Sequence, residues 1–366
     1  MSRYDVIVVG AGPAGCLAAK TASDSGCKTI ILEEHRQIGI PIHCSGKISI
    51  NAAPDNVREF LRKIDQPVLL TKYRAGHVFS PSGKVVKEFP LPANGSYLVD
   101  RGRFDQELAR QAVNAGVDLF LNTRVTGLLK QDNVVIGVTT ARSTGMPKVF
   151  GKVTIAADGI NAPLSGIPKW AALSRAGQKS MGNIVLELTR VKDLESDIAE
   201  LHTGAFSEKG WTTLWPRDEN SCHIHFMNLS EYELVKSGDY VLSRKLKDSI
   251  PLRIVACALP ADHGTKFSKL VMDGLILAGG AANIRGIANS MASGVYAGEV
   301  AAEAAKKNEV NSLRLKKYEK LCERLGGNAY QQRGIMHGLP FYQRSDNEIE
   351  GLLLEIIEKG ETFMYT

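Results

Sequence analysis

The sequence predicts an α/β fold in which a parallel-sheet domain is interrupted by a mostly antiparallel β-sheet and followed by C-terminal helices. Three patterns indicate this arrangement. An apolar run at residues 4–9 meets a glycine-rich turn, a small-residue helix and a second apolar run at residues 29–32. Residues 182–258 carry mostly strand patterns, and residues 274–306 return to a buried strand followed by a long helix of small residues. We therefore expect a Rossmann-like domain that is discontinuous in sequence.

The domain boundaries are placed where these patterns change. The Rossmann-like domain is expected to comprise residues 1–75, 95–170 and 265–310. The sheet domain, which would bind substrate, is expected to comprise residues 76–94 and 171–264, and the C-terminal helices residues 311–366. Two apolar stripes at helical spacing mark those last helices, and core packing explains them best. Their members are Leu315, Tyr318, Cys322 and Leu325 in one helix and Ile349, Leu352, Leu353, Ile356 and Ile357 in the other.

The glycine-rich turn at the start of the chain has the spacing of a dinucleotide-binding fingerprint. Gly10 permits the tight turn that leaves the strand, Gly12 lets backbone N–H groups approach a pyrophosphate, and Gly15 lets the helix lie close to the strand. Glu33 ends the second strand, where a carboxylate can accept hydrogen bonds from ribose hydroxyls. An acid at this position repels a 2′-phosphate, which favours FAD or NAD over NADP. The alternative is a βαβ turn that binds no ligand.

Composition excludes several classes of protein. Of the 366 residues, 44% are hydrophobic and 23% are charged, as in ordinary soluble proteins, and no apolar stretch approaches the ~18 residues of a membrane span. The six cysteines include no C-x-x-C pair, so neither a zinc site nor a disulfide framework is indicated, and no other metal constellation is visible. The chain enters a strand by Tyr4 without a signal-peptide pattern. We expect a cytoplasmic protein.

Positive charge is concentrated near the C-terminal end. Residues 306–333 contain eight Lys or Arg and three Glu, which accounts for most of the net charge of +6. One interpretation is a solvated helix face. The other is a surface that rests on anionic lipid headgroups, to which each basic residue contributes about 1 kcal/mol. Nucleic acid is not expected as a partner, because no aromatic platform accompanies the charge.

Other motifs, taken together with the glycine-rich turn, resemble those of a known protein family. With DRGRFD at residues 100–105 and Ala157-Asp158-Gly159, the chain resembles the FAD-dependent oxidoreductases of the glutathione-reductase/p-hydroxybenzoate-hydroxylase superfamily, often called the GR2 type. More narrowly, IGIPIHCSGKIS at residues 38–49 and IANSMASGVYA at residues 287–297 resemble the geranylgeranyl reductase family, in particular its archaeal digeranylgeranylglycerophospholipid reductases. Members of that family saturate isoprenoid double bonds of archaeal membrane lipids or of chlorophyll side chains.

The resemblance implies FAD as the cofactor and assigns residues to it. Arg101 would lie near the pyrophosphate or ribityl chain, although an arginine before a helix is usually a solvated cap residue. Asp158 would lie beside the cofactor at the end of its strand, unless it only bonds its own turn. The full cofactor set so implied is Gly10, Gly12, Pro13, Ala14, Gly15, Glu33, Glu34, Cys44, Ser45, Gly46, Arg101, Val125, Asp158, Gly159, Gly280 and Ala281.

Cys44 is the candidate catalytic residue. A free cysteine is usually a small buried hydrophobe, but Cys44 lies in a loop of Gly, Ser and Pro that resembles the flavin-facing loop of the family. We expect it at the boundary between flavin and substrate, where it would either supply a proton or form a wall that positions the prenyl chain. His43 is a weaker alternative acid. No Ser-His-Asp or paired-carboxylate constellation competes with this assignment.

Two stretches depart from the family pattern. Residues 210–216 resemble an aromatic motif that ends in proline, so Trp211, Trp215 and Pro216 are candidate substrate residues, either as ordinary core or as the wall of an apolar tunnel. Gly280 stands where the superfamily has an aspartate that binds the flavin's hydroxyls, and the loop that follows is reduced to residues 283–286. Loss of such a charged hydrogen bond costs roughly 1.5–3 kcal/mol, so we expect a weaker or altered hold on the flavin end.

The sequence therefore predicts an FAD-dependent reductase that transfers hydride from reduced flavin to the geranylgeranyl double bonds of a prenyl lipid, in peripheral contact with a membrane. Because one dinucleotide fingerprint is present, the electron donor is expected to be external, either ferredoxin or a reduced nicotinamide. Two alternatives remain at this point. One is another flavoprotein of the superfamily, a monooxygenase or a quinone-linked dehydrogenase. The other is a flavin-poor relative that only binds prenyl lipids.

Overall fold

The computed structural model describes residues 3–49, 55–65, 67–84, 86–91, 95–141, 145–159, 180–207, 209–260, 269–284, 286–331, 341 and 343–359. Within these ranges the strands are, in chain order, β1 (Arg3–Val9), β2 (Thr29–Leu32), β3 (Lys47–Ser49), β4 (Leu69–Lys72), β5 (Ala75–Phe79), β6 (Val86–Pro90), β7 (Ser96–Val99), β8 (Asp118–Phe120), β9 (Val125–Gln131), β10 (Val134–Thr140), β11 (Lys148–Ala156), β12 (Ser180–Thr189), β13 (Ile198–Thr203), β14 (Trp211–Pro216), β15 (Ser221–Phe226), β16 (Ile250–Pro260), β17 (Val271–Met272) and β18 (Leu275–Leu277). The helices are α1 (Pro13–Asp24), α2 (Asp55–Arg62), α3 (Arg101–Asn114), α4 (Leu229–Ser237), α5 (Val241–Leu246), a 3₁₀ turn (Gly279–Ala282), α6 (Ile287–Lys307), α7 (Ser312–Leu315), α8 (Lys317–Gln331) and α9 (Asp346–Glu358).

The first sheet is the parallel sheet that the sequence predicts. Its main path runs β17-β18-β11-β1-β2-β8, and β1 is parallel to both β2 and β11. The antiparallel strands β9 and β10 extend it from β11. Because β1 and β2 are buried along nearly their whole length, they read as continuous apolar runs. The ends of β1, β2 and β11 meet at one edge, where ligands bind in sheets of this kind.

Helices α1 and α6 pack against each other unusually closely, which their small residues permit. A Cβ built on Gly294 would lie 2.2 Å from the Ala14 carbonyl oxygen, and one on Gly298 would lie 2.4 Å from the Ala18 carbonyl oxygen. Helix α6, from the late part of the chain, thus covers the first helix.

The second sheet has the order β16-β12-β15-β14-β13-β5-β6 and is antiparallel except where β13 pairs with β5. One face packs on α4 and α5 through residues such as Ile224 and Leu242. The opposite face contributes Trp215 to a cluster that α9 completes with Ile349 and Leu353. The predicted antiparallel sheet is confirmed. Helices α4 and α5 were not predicted from the sequence, because they are short and polar and lie between segments with strand patterns.

A small third sheet, β3-β7-β4, connects the two large ones. Successive residues of β7 point to opposite sides, so Tyr97 joins the core of the parallel sheet and Leu98 joins the core beside Trp215.

The predicted helical stripes of the C-terminal segment are buried as expected. Leu315, Tyr318 and Cys322 are fully buried in the first core, and Ile349 and Leu353 in the second. The α/β fold class is confirmed, and the exact domain boundaries remain a prediction.

Candidate flavin and substrate site

The glycine turn between β1 and α1 has the tight geometry that its sequence predicts. Gly10 has φ +94°, and a Cβ there would lie 2.6 Å from the Ala157 carbonyl oxygen. A Cβ on Gly15 would lie 2.0 Å from the Gly10 carbonyl oxygen. By contrast, no atom lies within 4 Å of a Cβ built on Gly12. Gly10 and Gly15 are therefore required for packing, whereas Gly12 leaves open space at the beginning of α1.

That space has the electrostatic character of an anion site. Gly12 is the N-cap of α1, no side chain accepts from the first-turn N–H groups there, and Pro13 occupies the beginning of the helix. No acidic residue lies in the first turn. The unpaired N–H groups and the positive end of the helix dipole favour a phosphate at this position.

Glu33 anchors the glycine turn from the neighbouring strand. Its Oε2 accepts from the backbone N–H of Ala11 at 2.8 Å, and its Oε1 accepts from the backbone N–H of His35 at 2.9 Å. The His35 Nδ1 lies 2.6 Å from the same Oε1. Because the side chain is nearly buried, these bonds fix the carboxylate at the edge where β1 and β2 end. The role predicted for Glu33 towards a ribose remains a prediction.

A cavity opens at the carboxyl ends of β1, β2 and β11. The predicted cofactor residues among its walls are Gly10, Gly12, Glu33, Glu34, Val125, Asp158 and Gly159. Further walls come from His35, Gln37, residues 38–41, His43, Asp105 and Thr123. Of the other predicted cofactor residues, Ala14 and Gly15 lie in α1 just behind the turn. The structure therefore brings together the residues assigned to the nucleotide end.

Arg101 lies at the start of α3, and its role near the pyrophosphate or ribityl chain remains a prediction. Its Nη2 lies 2.9 and 2.8 Å from the two carboxylate oxygens of Asp105, one turn along α3. The stem of Arg101 lies beside the Cys44 loop, because a Cβ built on Gly46 would lie 3.3 Å from Arg101 Cγ. Burial opposes the charge on Arg101, but the Asp105 carboxylate and the Cys44 sulfur raise the pKa of the guanidinium above its ordinary value. Arg101 thus belongs to a buried cluster that contains the candidate catalytic residue.

The loop after Cys44 is fixed on two sides. The Gly46 carbonyl accepts from the Val99 N–H at 3.0 Å, and a Cβ on Gly46, whose φ is +85°, would lie 2.0 Å from the Val99 carbonyl oxygen. On the other side, the Ser45 carbonyl oxygen lies 2.7 Å from Nδ1 of His223. Cys44 itself is half-buried and packs against the first core. Its sulfur therefore has a defined position between the two large sheets.

A row of polar residues crosses the second sheet below this loop and was not foreseen from the sequence. His223 is paired in register with Glu187, and Glu187 with Arg253. The Glu187 carboxylate bridges Arg217 at 2.7 Å and Arg253 at 2.8 Å. Burial lowers the pKa of His223, and with Lys209 it lowers the pKa of His225 to about 3. The alternation of His223 and His225 in an otherwise apolar strand was the signal that could have revealed the row.

The candidate substrate residues of β14 are only partly exposed. Trp215 is buried, its Nε1 donates to Thr213 Oγ1 at 3.2 Å, and its ring meets Tyr73 edge-on at 5.4 Å. The Pro216 carbonyl accepts from the Tyr73 hydroxyl at 2.6 Å. Trp211 is half-buried, and Lys209 Nζ lies 4.3 Å from the centre of its ring. Trp215 is thus part of a core, and a role of this strand as a tunnel wall remains a prediction.

The shortened segment around Gly280 is attached to α6. Residues Gly279–Ala282 form a 3₁₀ turn, and the Gly279 N–H donates to Ser293 Oγ at 2.8 Å. The Ser290 hydroxyl donates to the Ile284 carbonyl at 3.2 Å. The Cβ position of Gly279 lies 2.6 Å from Ala14 Cβ, so the turn rests on the beginning of α1. Gly280 and Ala281 therefore lie beside the glycine turn, and neither of them supplies a carboxylate.

The basic stretch is partly neutralised within the protein. The Glu303 carboxylate contacts Lys307 at 3.1 Å, Arg314 at 2.6 Å and Lys317 at 2.9 Å. Hydrogen bonds from Lys317 and Lys307 lower the pKa of Glu303 to about 2. Across the ranges that the structure describes, no helix combines the length and the apolar character needed to cross a membrane.

Comparison with known proteins identifies the family. Residues 5–232 match the family model of FAD dependent oxidoreductases. A digeranylgeranylglycerophospholipid reductase of Methanocaldococcus jannaschii is 30% identical over 341 residues, which cover 87% of this chain and 81% of the relative. The chain belongs to the geranylgeranyl reductase family of FAD-dependent oxidoreductases. The family resemblance, the enzyme class and the cofactor predicted from the sequence are thereby confirmed.

A second relative agrees with this assignment, and a solved structure agrees with the fold. The digeranylgeranylglycerophospholipid reductase 1 of Methanococcoides burtonii is 29% identical over 368 residues, which cover 97% of this chain and 88% of the relative. The crystal structure of a geranylgeranyl bacteriochlorophyll reductase-like protein from Thermoplasma acidophilum superposes with a TM-score of 0.85 at 23% identity, covering 100% of this chain and 94% of the other. The latter shows the same fold.

The residues present fit the nucleotide half of FAD, the cofactor of this geranylgeranyl reductase family member. The open space above Gly12 and the N–H groups of α1 suit the pyrophosphate, and the cavity places Glu33 at its edge. At the flavin end, Gly280 has no side chain, so it can offer only its backbone groups to the cofactor. The fit is therefore asymmetric, with the nucleotide end better supplied with polar side chains.

Proposed function

We propose that this protein is an FAD-dependent reductase that saturates the geranylgeranyl double bonds of a prenyl lipid. The observation that carries the proposal is the cavity at the ends of β1, β2 and β11, with the open N-terminus of α1 on one side and Asp158 and Gly159 on the other. Family membership and the names of the relatives support the prenyl lipid as substrate.

Each part of the site has a distinct task in this reaction. When bound, reduced FAD supplies a hydride. The turn at residues 10–15 and Glu33 hold the nucleotide end and so position the flavin. An isolated double bond has no carbonyl to polarise it, so a proton must reach the second carbon as the hydride reaches the first. Cys44 is the candidate proton donor, and the bonds of Ser45 and Gly46 hold its loop in place.

The substrate chain is proposed to lie between the Cys44 loop and the second sheet. Trp211 is half-buried against the core that contains Trp215, and it would offer an aromatic surface to the chain. Trp215 and Pro216 would support that surface from the core. An aromatic surface of this kind suits a polyprenyl chain better than a polar metabolite.

We further propose peripheral contact with anionic membranes through the segment around α7. Leu313 is 80% exposed and stands among Arg314, Lys316 and Lys317. An exposed leucine can insert into the apolar part of a membrane, while the basic side chains around it are attracted to anionic headgroups. Sedimentation with vesicles should show more binding to anionic than to neutral lipid, and Leu313→Asn should reduce it. Equal recovery with both lipids would contradict this contact.

The electron donor is proposed to be external, a ferredoxin or a reduced nicotinamide. The single glycine fingerprint at residues 10–15 supports this, because the sequence carries no second turn of the kind that typically holds a resident dinucleotide. Anaerobic bleaching of the bound flavin by each donor in turn would identify it, and bleaching by neither would refute the proposal.

The reductase proposal is tested with the purified protein under anaerobic conditions. The flavin spectrum is recorded, the flavin is reduced with dithionite, and a geranylgeranyl lipid is added. We expect the oxidised flavin spectrum to return and the lipid to gain one molecule of hydrogen for each double bond reduced. A fully saturated lipid with the same headgroup is the matched control and should leave the flavin reduced.

Three results would overturn the proposal and point elsewhere. Colourless protein that takes up no added FAD would leave a lipid-binding relative. Flavin that stays reduced in the presence of the unsaturated lipid would exclude that lipid as substrate. Oxygen consumption with a nicotinamide donor, without saturation of the lipid, would favour a monooxygenase.

A further inference from the structure

One face of the second sheet carries a row of side chains that changes from aromatic to charged. Trp215 is paired in register with His223, and His223 with Glu187. Glu187 is paired in turn with Arg253. Residues directly opposite each other on neighbouring strands lie on the same face. The row therefore crosses β14, β15, β12 and β16, and it ends at the last strand of the described sheet.

The outer end of the row is a pair of arginines held by one carboxylate. Glu187 Oε1 lies 2.7 Å from Nη1 of Arg217, and Glu187 Oε2 lies 2.8 Å from Nη2 of Arg253. The Thr71 hydroxyl donates to the backbone carbonyl of Arg217 at 3.0 Å, which ties this end of the row to β4. Both guanidiniums are thus fixed by the same acid.

The Glu187 carboxylate cannot satisfy both arginines. Each guanidinium carries a positive charge and five N–H donors, whereas a carboxylate supplies one negative charge and two oxygens. The buried Nε of Arg253 has no hydrogen-bond partner among the described residues. Asp218 follows Arg217 in the chain, but its carboxylate accepts from the Asn220 N–H at 2.9 Å within its own turn. The three side chains of the group therefore keep an excess of positive charge and an unused donor.

The inner end of the row lies below the Cys44 loop. His223 Nδ1 bonds the Ser45 carbonyl at 2.7 Å, whereas its Nε2 is buried and has no hydrogen-bond partner within the described ranges. Glu187 Oε2 lies 3.9 Å from this Nε2, which is too far for a hydrogen bond. Buried polar atoms in proteins are usually paired. Two unpaired atoms in one row indicate a place for a polar ligand.

Exposure to solvent increases along the row. The side chains of His223 and Glu187 are 4% and 11% exposed, whereas those of Arg253 and Arg217 are 39% and 42% exposed. Complete burial of a charged group carries a large desolvation cost. A half-exposed pair of arginines can therefore bind an ionised group while water still solvates part of it. The order suits a ligand with an apolar chain inside and a charged head outside.

We propose that Arg217 and Arg253 bind the phosphate of the substrate lipid and so direct its prenyl chain towards the Cys44 loop. This inference rests on the proposed function for the prenyl chain, and it adds the class of headgroup and the residues that hold it. Guanidinium forks match phosphate oxygens in a bidentate manner. A phosphate oxygen would supply the missing partner of Arg253 Nε, and a phosphate hydroxyl can donate to the lone pair of His223 Nε2.

The test uses the purified oxidised protein and measures binding by isothermal titration calorimetry, without turnover. The probes are geranyl phosphate and geraniol, which share the prenyl chain and differ in the charged group. We expect geranyl phosphate to bind at least about tenfold more tightly than geraniol. Arg217→Gln and Arg253→Gln should each weaken geranyl phosphate about tenfold and leave geraniol unchanged, because each removes charged hydrogen bonds to the phosphate alone.

Arg74→Gln is the matched control. Arg74 lies between β4 and β5, where it contacts Asp197 at 2.9 Å and Glu195 at 3.6 Å, and its side chain is 55% exposed. It therefore resembles the two arginines in charge and exposure but lies outside the row. This variant should bind both probes as the wild type does. Loss of geranyl phosphate binding equal to that in Arg253→Gln would show that any lost positive charge has the same effect, and would overturn the inference.

Inorganic phosphate distinguishes a lipid headgroup from a free anion. It should bind at least about tenfold more weakly than geranyl phosphate, because it lacks the chain that the inner part of the site accommodates. Equal affinities would assign the arginines to free phosphate and overturn the assignment to a lipid. Should the Gln variants fail to fold, Arg217→Lys and Arg253→Lys keep the charge but lose the fork. They should weaken geranyl phosphate and not geraniol.

The outcomes separate this inference from the proposed function. Equal losses for both probes in the arginine variants, or no loss for either, would show that the arginines serve only the sheet. The predicted selectivity in a protein that saturates no lipid would uphold the phosphate site and refute only the reductase. Saturation of a geranylgeranyl phospholipid with wild-type KM in Arg217→Gln and Arg253→Gln would uphold the reductase and refute the phosphate site.

Discussion

The imidazole of His223 donates from Nδ1 to the backbone carbonyl of Ser45 across 2.7 Å. The carbonyl cannot donate, so this nitrogen carries the proton. Burial lowers the pKa of His223, which keeps the ring neutral and its tautomer fixed. The bond ties β15 of the second sheet to the residue that follows Cys44, and it therefore positions the sulfur from the substrate side.

We expect His223→Ala to reduce the kcat of lipid saturation about tenfold or more, because a small displacement of an aligned donor is costly in rate. His223→Asn can place an amide N–H near the former Nδ1 and should retain more of the rate. Steady-state kinetics with the geranylgeranyl lipid would separate kcat from KM. Wild-type kcat in both variants would show that the bond does not position Cys44.

Gly12 and Gly15 should respond differently to the same added methyl group. At Gly15 the methyl would meet the Gly10 carbonyl oxygen at 2.0 Å, so Gly15→Ala should lower the free energy of unfolding by about 3 kcal/mol or more. At Gly12 the space is open and φ is −78°, so Gly12→Ala should fold normally but bind FAD more weakly. Urea unfolding and FAD titration would measure the two effects, and equal losses of stability would contradict this distinction.

The contact between α1 and α6 offers a second matched pair. Gly294→Ala would place a methyl 2.2 Å from the Ala14 carbonyl oxygen and should destabilise the protein by about 1–3 kcal/mol. Gly351→Ala on α9, where no atom lies within 4 Å, should instead stabilise it by about 0.5–1 kcal/mol through helix propensity. Thermal unfolding would report both changes. Destabilisation by Gly351→Ala would show that helix propensity does not govern that position.

Acid should weaken the fold through His225. Its pKa falls from the usual 6.5 to about 3 because of burial and the nearby Lys209, His223 and Lys47. Between these values the unfolded chain binds a proton that the folded protein does not. The free energy of unfolding should therefore decrease as pH falls through this window. Urea midpoints measured at successive pH values should decline less steeply in His225→Gln, and an unchanged slope would exclude His225 as a source of the loss.

Local sequence patterns were sufficient to predict the parallel sheet and the glycine-rich turn. The turn at residues 10–15 and the acid at Glu33 lie within one βαβ unit, so their spacing predicts their geometry. The stripe of α9 was equally readable, because its register depends on helical periodicity alone.

Contacts between residues that are far apart in the chain could not be predicted from local sequence patterns. The loop that carries Cys44 lies beside Arg101 where Gly46 pairs with Val99. The sequence predicts Arg101 near the pyrophosphate or ribityl chain, but it does not predict the pairing with Asp105, because a motif does not specify the rotamer of a long side chain. The row at Glu187 likewise required the register of three strands, which no local pattern determines.

The close packing of α1 against α6 has a consequence for the synthesis of the protein. During translation the first βαβ unit leaves the ribosome with the surface around Ala14 uncovered, and it stays so until α6, which ends at Lys307, has followed it. The turn at Gly279, which rests on the same alanine, also arrives late. The flavin site is therefore completed only after α6 has been synthesised, so the first βαβ unit alone lacks the surface that α6 and the turn at Gly279 add to it.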